Sequence, residues 1–287
     1  MDNNVPWRGN KADVRLTILV DDHQGRDGLL AEHGLSFWIE TGGKHVLFDT
    51  GQESALEPNS LALGIDLAET DDIVLSHGHY DHTGGLAFAL SRAPKAEVFC
   101  HPEVTKLRYA IRDGTPKQVQ MPRDSVEALG RVHDRRLHRV QQPAFISGEI
   151  GVTGPIPRES NFEDAGGPFF FDPEGKHPDQ IDDDLALWIR RDDGIIVCVG
   201  CAHAGLVNTL NFIGKLNTGL KIRAVVGGFH LLQAGRDRLA RTMSALRPLD
   251  LELVVPCHCT GESAIGVLGE AFPDRVLQGA VGMTLRC

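Results

Sequence analysis

The chain has 287 residues, a formal net charge of −10 and an ordinary balance of 41% apolar and 24% charged residues. Its Lys and Arg are scattered rather than striped, which argues against nucleic-acid and anionic-membrane surfaces. No apolar run is long enough to span a bilayer, and the first twenty residues lack a basic start followed by an apolar core, so neither a span nor a secretory signal is expected. Six cysteines without small-domain spacing suit reduced thiols, and a cytoplasmic protein is expected. The length allows one large core or two modest domains, and a single domain over 1–287 is the expectation.

Residues 1 to 13 are polar and expected to fray. Arg15 to Val20 reads as the first strand, and Asp21 to Gly25 as a turn with His23 as a solvated loop residue. Leu35–Glu40 and Lys44–Asp49 form a hairpin around Gly42-Gly43. Glu53 to Leu63 reads as a helix. Ile73-Val74-Leu75 is a buried strand end, and Gly84 to about Ser91 is helical. Ala96 to Phe99 is a strand. Pro102 opens a further helix, with His101 before it as a structural residue.

Residues 113 to 140 are charged and weakly patterned, as in an insertion over a cleft, where specificity often resides. Ala144 to Val152 reads as a strand. Pro155 to Pro178 is rich in Gly and Pro and carries Phe169-Phe170-Phe171. Those rings are either plain packing, as in a lid, or an apolar wall for a flat substrate, with Phe170 as the candidate contact. Leu185–Ile189 and Ile195–Val199 form a hairpin through Asp192-Asp193-Gly194. Helices follow at Leu206–Leu216 and Asp237–Leu246, strands at Ile222–Val226 and Leu251–Val255, and a last helix ends at Phe272. Val276–Gln278 and Met283–Leu285 are expected to close the second sheet.

The densest chemistry lies in Leu75-Ser76-His77-Gly78-His79-Tyr80-Asp81-His82-Thr83-Gly84-Gly85, a strand-to-helix loop. Zinc takes imidazole nitrogen and carboxylate oxygen, usually four ligands in all. In an extended segment His77 and His79 point the same way and can share one metal. Asp81 and His82, at the turn into the helix, face a second position. Further histidines stand just past three other strands: His203, His230 and His258. Histidines on one rim can converge. Asp49 also ends a strand, where the residues alone read as a turn-capping carboxylate.

His-x-His-x-Asp-His resembles the metal motif of the metallo-β-lactamase superfamily. Phe48-Asp49-Thr50-Gly51 is similar to its first motif, which implies that Asp49 also hydrogen-bonds the metal-binding loop and fixes its geometry, and Val255-Pro256-Cys257-His258 is similar to its last. The resemblance implies an α/β fold: an αββα sandwich of two mixed β-sheets with helices on the outer faces. Glu32-His33-Gly34-Leu35-Ser36, Gly200-Cys201-x-His203-x-Gly205, Gly227-Gly228-Phe229-His230-Leu231 and His258-Cys259-Thr260-Gly261 narrow it. Together they resemble the metallo-hydrolase subfamily that includes a dihydropterin-ribofuranosylaminobenzene 5'-phosphate synthase.

That resemblance implies two metals, zinc or else iron or manganese. The implied ligands are His77 and His79 with His203 or a nearby group at one metal, and Asp81, His82 and His258 at the other. The bridging aspartate common in the superfamily has no counterpart in Gly200–Gly205, where Cys201 stands. Cys201 is either a thiolate ligand or a buried thiol. Cys198-x-x-Cys201 as a redox pair, and a separate zinc on Cys201, Cys257 and Cys259, are further readings.

The implied function is hydrolysis of an ester or phosphoester on a small, anionic substrate. A water whose pKa a metal lowers to about 7 attacks, Asp81 orients it, and His230 acts as acid–base or contacts substrate. His33 is a candidate substrate contact, and Gly84-Gly85 could offer backbone N–H groups to an anion. A transferase releasing diphosphate from a pterin-methyl substrate is the alternative. A non-catalytic metal sensor is a third reading.

Overall fold

The computed structural model describes residues 4–6 and 14–286, the first three by backbone alone. The expectation for residues 1–13 lies otherwise outside them. Strands run in chain order as β1 Asn4–Pro6, β2 Val14–Val20, β3 Ser36–Thr41, β4 Lys44–Phe48, β5 Asp72–Val74, β6 Glu97–Cys100, β7 Tyr109–Arg112, β8 Thr115–Gln118 and β9 Leu137–Arg139. They continue as β10 Ala144–Phe145, β11 Ile150–Val152, β12 Phe169–Phe170, β13 Ala186–Arg191, β14 Gly194–Val199, β15 Ile222–Gly228, β16 Leu253–Cys257 and β17 Thr284–Arg286. The helices are α1 Leu56–Ala62, α2 Tyr80–Thr83, α3 Leu86–Arg92, α4 Arg123–Gly130, α5 Leu206–Leu216, α6 Arg236–Leu246 and α7 Glu262–Ala271. None of the described helices is long and apolar enough to cross a membrane.

The chain divides into two compact units. The first comprises 1–105, 121–139 and 279–287. Its sheet has the order β1-β17-β2-β3-β4-β5-β6-β9. β2, β3 and β4 are antiparallel, whereas β4, β5, β6 and β9 run parallel. Parallel strands are covered on both faces and read as continuous apolar runs, as Ile73-Val74-Leu75 does. Leu47, Ile73, Val98 and Leu86 pack into one core. The in-register pairs Phe48–Val74 and Val74–Phe99 bring the ends of three strands to one edge of this sheet.

The second unit comprises 106–120 and 140–278. Its main sheet has the order β10-β11-β13-β14-β15-β16, with β14, β15 and β16 parallel. Leu206, Leu210 and Ile213 of α5 recur at helical spacing and pack with Val197, Val225 and Val254. The pairs Val199–Gly227 and Gly228–Cys257 align the last three strand ends. A small sheet, β12-β7-β8, completes the unit. Buried Arg108 lies 3.2 Å from Asp179 and 2.7 Å from Asp183, tying the start of 106–120 to the loop before β13.

Several expected elements differ. Pro102 begins a turn, not a helix: Val104 N–H reaches the His101 carbonyl and His101 Nδ1 accepts from Glu103, and the chain then runs out towards β7. Ala144–Val152 is a hairpin, because Ser147 Oγ accepts from Glu149 and Ile150 and closes a turn at Ser147-Gly148. Phe169 and Phe170 form a short strand on β7 rather than a loop. β17 belongs to the first unit's sheet, between β1 and β2, and Val276 makes an isolated bridge to Val254. The stretch 113–140 is divided, with β8 in the second unit and α4 and β9 in the first.

Candidate metal centre

The histidine loop leaves β5 beside the end of β4, where Asp49 adopts a left-handed φ of 57°. Asp49 is fully buried. Its Oδ1 accepts from Ser76 N–H at 2.7 Å, and its Oδ2 from Ser76 Oγ–H at 2.6 Å and from His82 Nδ1 at 2.7 Å. A serine hydroxyl has one proton. Since that proton goes to Asp49, Ser76 Oγ accepts from His77 Nδ1 at 2.9 Å. One carboxylate thus fixes the tautomer of His82 directly and of His77 through Ser76. In both rings the lone pair falls on Nε2.

The rings are tightly grouped. His77 Nε2 lies 2.9 Å from His79 Nδ1, and the His77 and His82 ring centroids are 4.3 Å apart. His33 bridges two acids, with Nδ1 3.0 Å from Asp22 and Nε2 3.3 Å from Asp81. It therefore holds the Asp81 carboxylate within this unit. The loop is clamped from behind as well: Thr50 donates to the His82 carbonyl through both N–H and Oγ–H. Gly84 backs onto Gln52, whose carbonyl oxygen would lie 1.5 Å from an added Cβ, so no side chain fits there. Gly84 N–H is engaged with the Gly51 and Tyr80 carbonyls, so it is not a donor for an anion as expected.

In the second unit, His203 is fully buried, and its Nδ1 donates to the Ala165 carbonyl at 2.7 Å, which again leaves the lone pair on Nε2. Next to it, Ala204 N–H donates to Asp184 Oδ2 at 2.7 Å. Burial pushes the Asp184 carboxyl up to about 7, against the Ala204 N–H and the Arg158 charge. His230 Nε2 donates to the Gly166 carbonyl at 3.1 Å, and its ring lies 4.3 Å from that of His203. His258 begins a short 3₁₀ turn past β16 and is 5% exposed.

The cysteines assort differently from the readings offered above. Donor atoms of Cys201, His230 and Cys259 lie within 4.8 Å of one another, so the companion of these two thiols is His230, not Cys257. Burial would raise the Cys259 thiol, but a hydrogen bond from Cys201 and the nearby His230 hold it well below its ordinary value. Cys198 lies within the buried apolar strand β14. No disulfide joins the five described cysteines.

Sequence reading passed over Ser76 and Asp184 as parts of the two sets, and it set Cys259 beside Cys201 without His230. Ala202, His230 and His258 share the left-handed backbone of Asp49, with φ of 45°, 48° and 44°. Such a backbone costs about 1–3 kcal/mol per residue and gathers at functional sites. In the first unit the set lone pairs of His77 and His82 stand near the Asp81 carboxylate, and in the second the imidazoles of His203 and His230 stand with the Cys201 and Cys259 thiols; both groups are of donor types that suit zinc or a similar metal.

The chain belongs to the metallo-β-lactamase superfamily, whose family model matches residues 30–211. It is 32% identical to the 7,8-dihydropterin-6-methyl-4-(β-D-ribofuranosyl)-aminobenzene-5'-phosphate synthase of Methanocaldococcus jannaschii, over 93% of this chain and 94% of that protein. An uncharacterised protein of the same organism is also 32% identical, over 93% of this chain and 98% of its own length. Among solved structures, Tm1679, described as a metal-dependent hydrolase of the β-lactamase superfamily, matches with a TM-score of 0.79. It is 29% identical and covers 96% of this chain and 99% of its own. The fold is therefore the α/β metallo-β-lactamase fold, with mixed sheets and helices.

Proposed function

We propose that this protein is a metal-dependent hydrolase of a small anionic ester or phosphoester in the cytoplasm. The proposed ligands are His77, His79, Asp81, His82, His203 and His258, with Cys201 as a further candidate, and the proposed cofactor is two zinc ions. The observation that carries this reading is the Asp49 carboxylate, which orients His82 directly and His77 through Ser76. A solvated polar loop has no use for a fully buried acid that presets two ring nitrogens as lone-pair donors.

A bound metal supplies Lewis acidity, bringing a water's pKa near neutrality and polarising the electrophilic oxygen. The protein's own groups do the rest. Asp81, held by His33 at 3.3 Å, orients the attacking water. His230 has Nε2 committed to Gly166, so Nδ1 is the nitrogen that exchanges a proton with the departing oxygen. The 32% identity to a synthase over nearly the whole chain supports a second reading, transfer with release of diphosphate. In that case product forms only when both substrates are present.

Elemental analysis of wild type beside His79→Ala and His203→Ala tests the centre. About two equivalents in wild type, reduced in both variants, is the expected result. One equivalent, unchanged in His203→Ala, removes His203 and the two-metal mechanism. A phosphoester panel, and a paired-substrate assay for diphosphate, then separate hydrolase from transferase.

A further inference from the structure

A cavity of about 520 Å³ opens in the second unit, lined in part by Phe169, Phe170, His230, Gly235 and Arg238. Arg238 stands in the first turn of α6, and its side chain is only 11% exposed. Its Nη1 donates to Asp164 at 2.5 Å. Its Nε and Nη2 are buried and have no hydrogen-bond partner among the described residues. A buried cation with two idle donors costs free energy unless an acceptor completes it.

Those two donors are the parallel pair on one edge of the guanidinium, the edge that matches two oxygens of a phosphate or carboxylate. The acids around the cavity do not take this role. Asp179 pairs with Arg108 and accepts from Ile181 N–H, Asp164 already receives Nη1 and the N–H of Gly166, and Glu163, whose charge also acts on Arg238, gives its two oxygens to the N–H groups of Val207 and Asn208. Gly235, the N-cap of α6, and Arg238 of its first turn both line the cavity, so the N-terminal end of the helix faces it. The positive end of the helix dipole favours the higher charge of a phosphate over that of a carboxylate. The two phenylalanines add an apolar wall to this polar end, the usual composition of a small-molecule site.

We propose that this cavity binds an aromatic phosphate ester, with Arg238 taking two phosphate oxygens and Phe170 flanking the ring. The assignment rests on the hydrolytic reading above and gives that reading its substrate class. Arg238 is a binding residue that fixes specificity, separate from the metal ligands.

The test is calorimetric titration of the metal-loaded protein with phenylphosphonate, which has no ester to hydrolyse, and with inorganic phosphate and benzoate. Arg238→Gln should weaken phenylphosphonate at least tenfold with metal content and melting temperature unchanged. Phe170→Leu should weaken phenylphosphonate but not inorganic phosphate. If Arg238→Gln melts early, Arg238→Lys decides, because it keeps the charge and loses the fork; affinity equal to wild type then overturns the proposal. Benzoate binding as tightly as phenylphosphonate overturns the phosphate assignment. Binding lost in His79→Ala but intact in Arg238→Gln puts the anion on the metal and sinks the subsite alone. A wild type without metal that still depends on Arg238 sinks the hydrolytic reading and leaves the subsite standing.

Discussion

Asp49 Oδ2 lies 2.7 Å from His82 Nδ1, and neither side chain has any exposed surface. The same oxygen receives the Ser76 hydroxyl, so one acid secures two rings of the metal loop. Asp49→Ala leaves a buried hydroxyl and a buried imidazole without their acceptor. Each buried donor left without its acceptor costs roughly 1–3 kcal/mol, and loss of a carboxylate behind a ligand typically lowers metal affinity 10–100-fold. Asp49→Asn keeps an acceptor and should lose less. Melting curves with bound-metal counts for the three proteins check this, and wild-type metal retention in Asp49→Ala would refute it.

Asp184 gives stability a pH dependence of definite sign. An aspartate titrates near 3.9 when unfolded but near 7 here, mainly because of burial. The folded state prefers the neutral acid. Its contribution is therefore complete below about pH 4 and declines as pH rises to about 7, by about 4 kcal/mol at most. Asp184→Asn retains an oxygen for Ala204 N–H and cannot ionise. Urea unfolding at pH 4.5 and pH 8 should find the variant gaining on wild type only at the higher pH. A constant difference between the two proteins would rule the assignment out.

Cys259 should react as a thiolate below the ordinary range. In chelator-treated protein, its alkylation by iodoacetamide, followed by peptide mass mapping, should persist well below pH 8.5. Removing a lowering partner, in His230→Gln or Cys201→Ala, should move the profile upward. A profile centred near pH 8.5 in wild type would contradict the grouping of these three residues.

Arg108 is buried with two acids, and burial pushes the Asp179 carboxyl up while the Arg108 charge opposes it. Arg108→Met leaves both acids without their cation, at a cost of roughly 3–5 kcal/mol. Residues 106–120 should then become the first site of limited proteolysis. Cleavage elsewhere first, with an unchanged melting temperature, would show that this ion pair does not hold the segment.

The histidine loop was legible because its six-residue spacing is local and its flanking runs have strand and helix character. The strand ends at His203, His230 and His258 were legible for the same reason. Ser76 lies inside the motif, yet its relay role depends on Asp49, 27 residues away, which no periodicity reports. The meeting of Cys259 with Cys201 follows from the alignment of three parallel strands and from the turns after them. Arg238 sits on an ordinary polar helix face, where a long charged side chain reads as solvated. The missed turn at Pro102 has a simpler cause. Proline permits a helix start, but the His101 ring captured the next N–H first and helical bonding did not propagate.

The placement of β17 has a consequence for how the molecule is made. Its Thr284 side chain meets Thr17, 267 residues earlier, and its register is antiparallel to β2. During synthesis β2 leaves the ribosome long before β17 exists, and residues 140–278 can assemble in the interval. Until the last strand arrives, one side of β2 presents unpaired backbone groups, a template for pairing with other chains. Completion of the first sheet is thus a late, long-range event, of the kind that sets a slow folding rate. A nascent chain stalled before residue 284 would expose that edge longest, which makes the interval between the emergence of β16 and that of β17 the point of greatest aggregation risk.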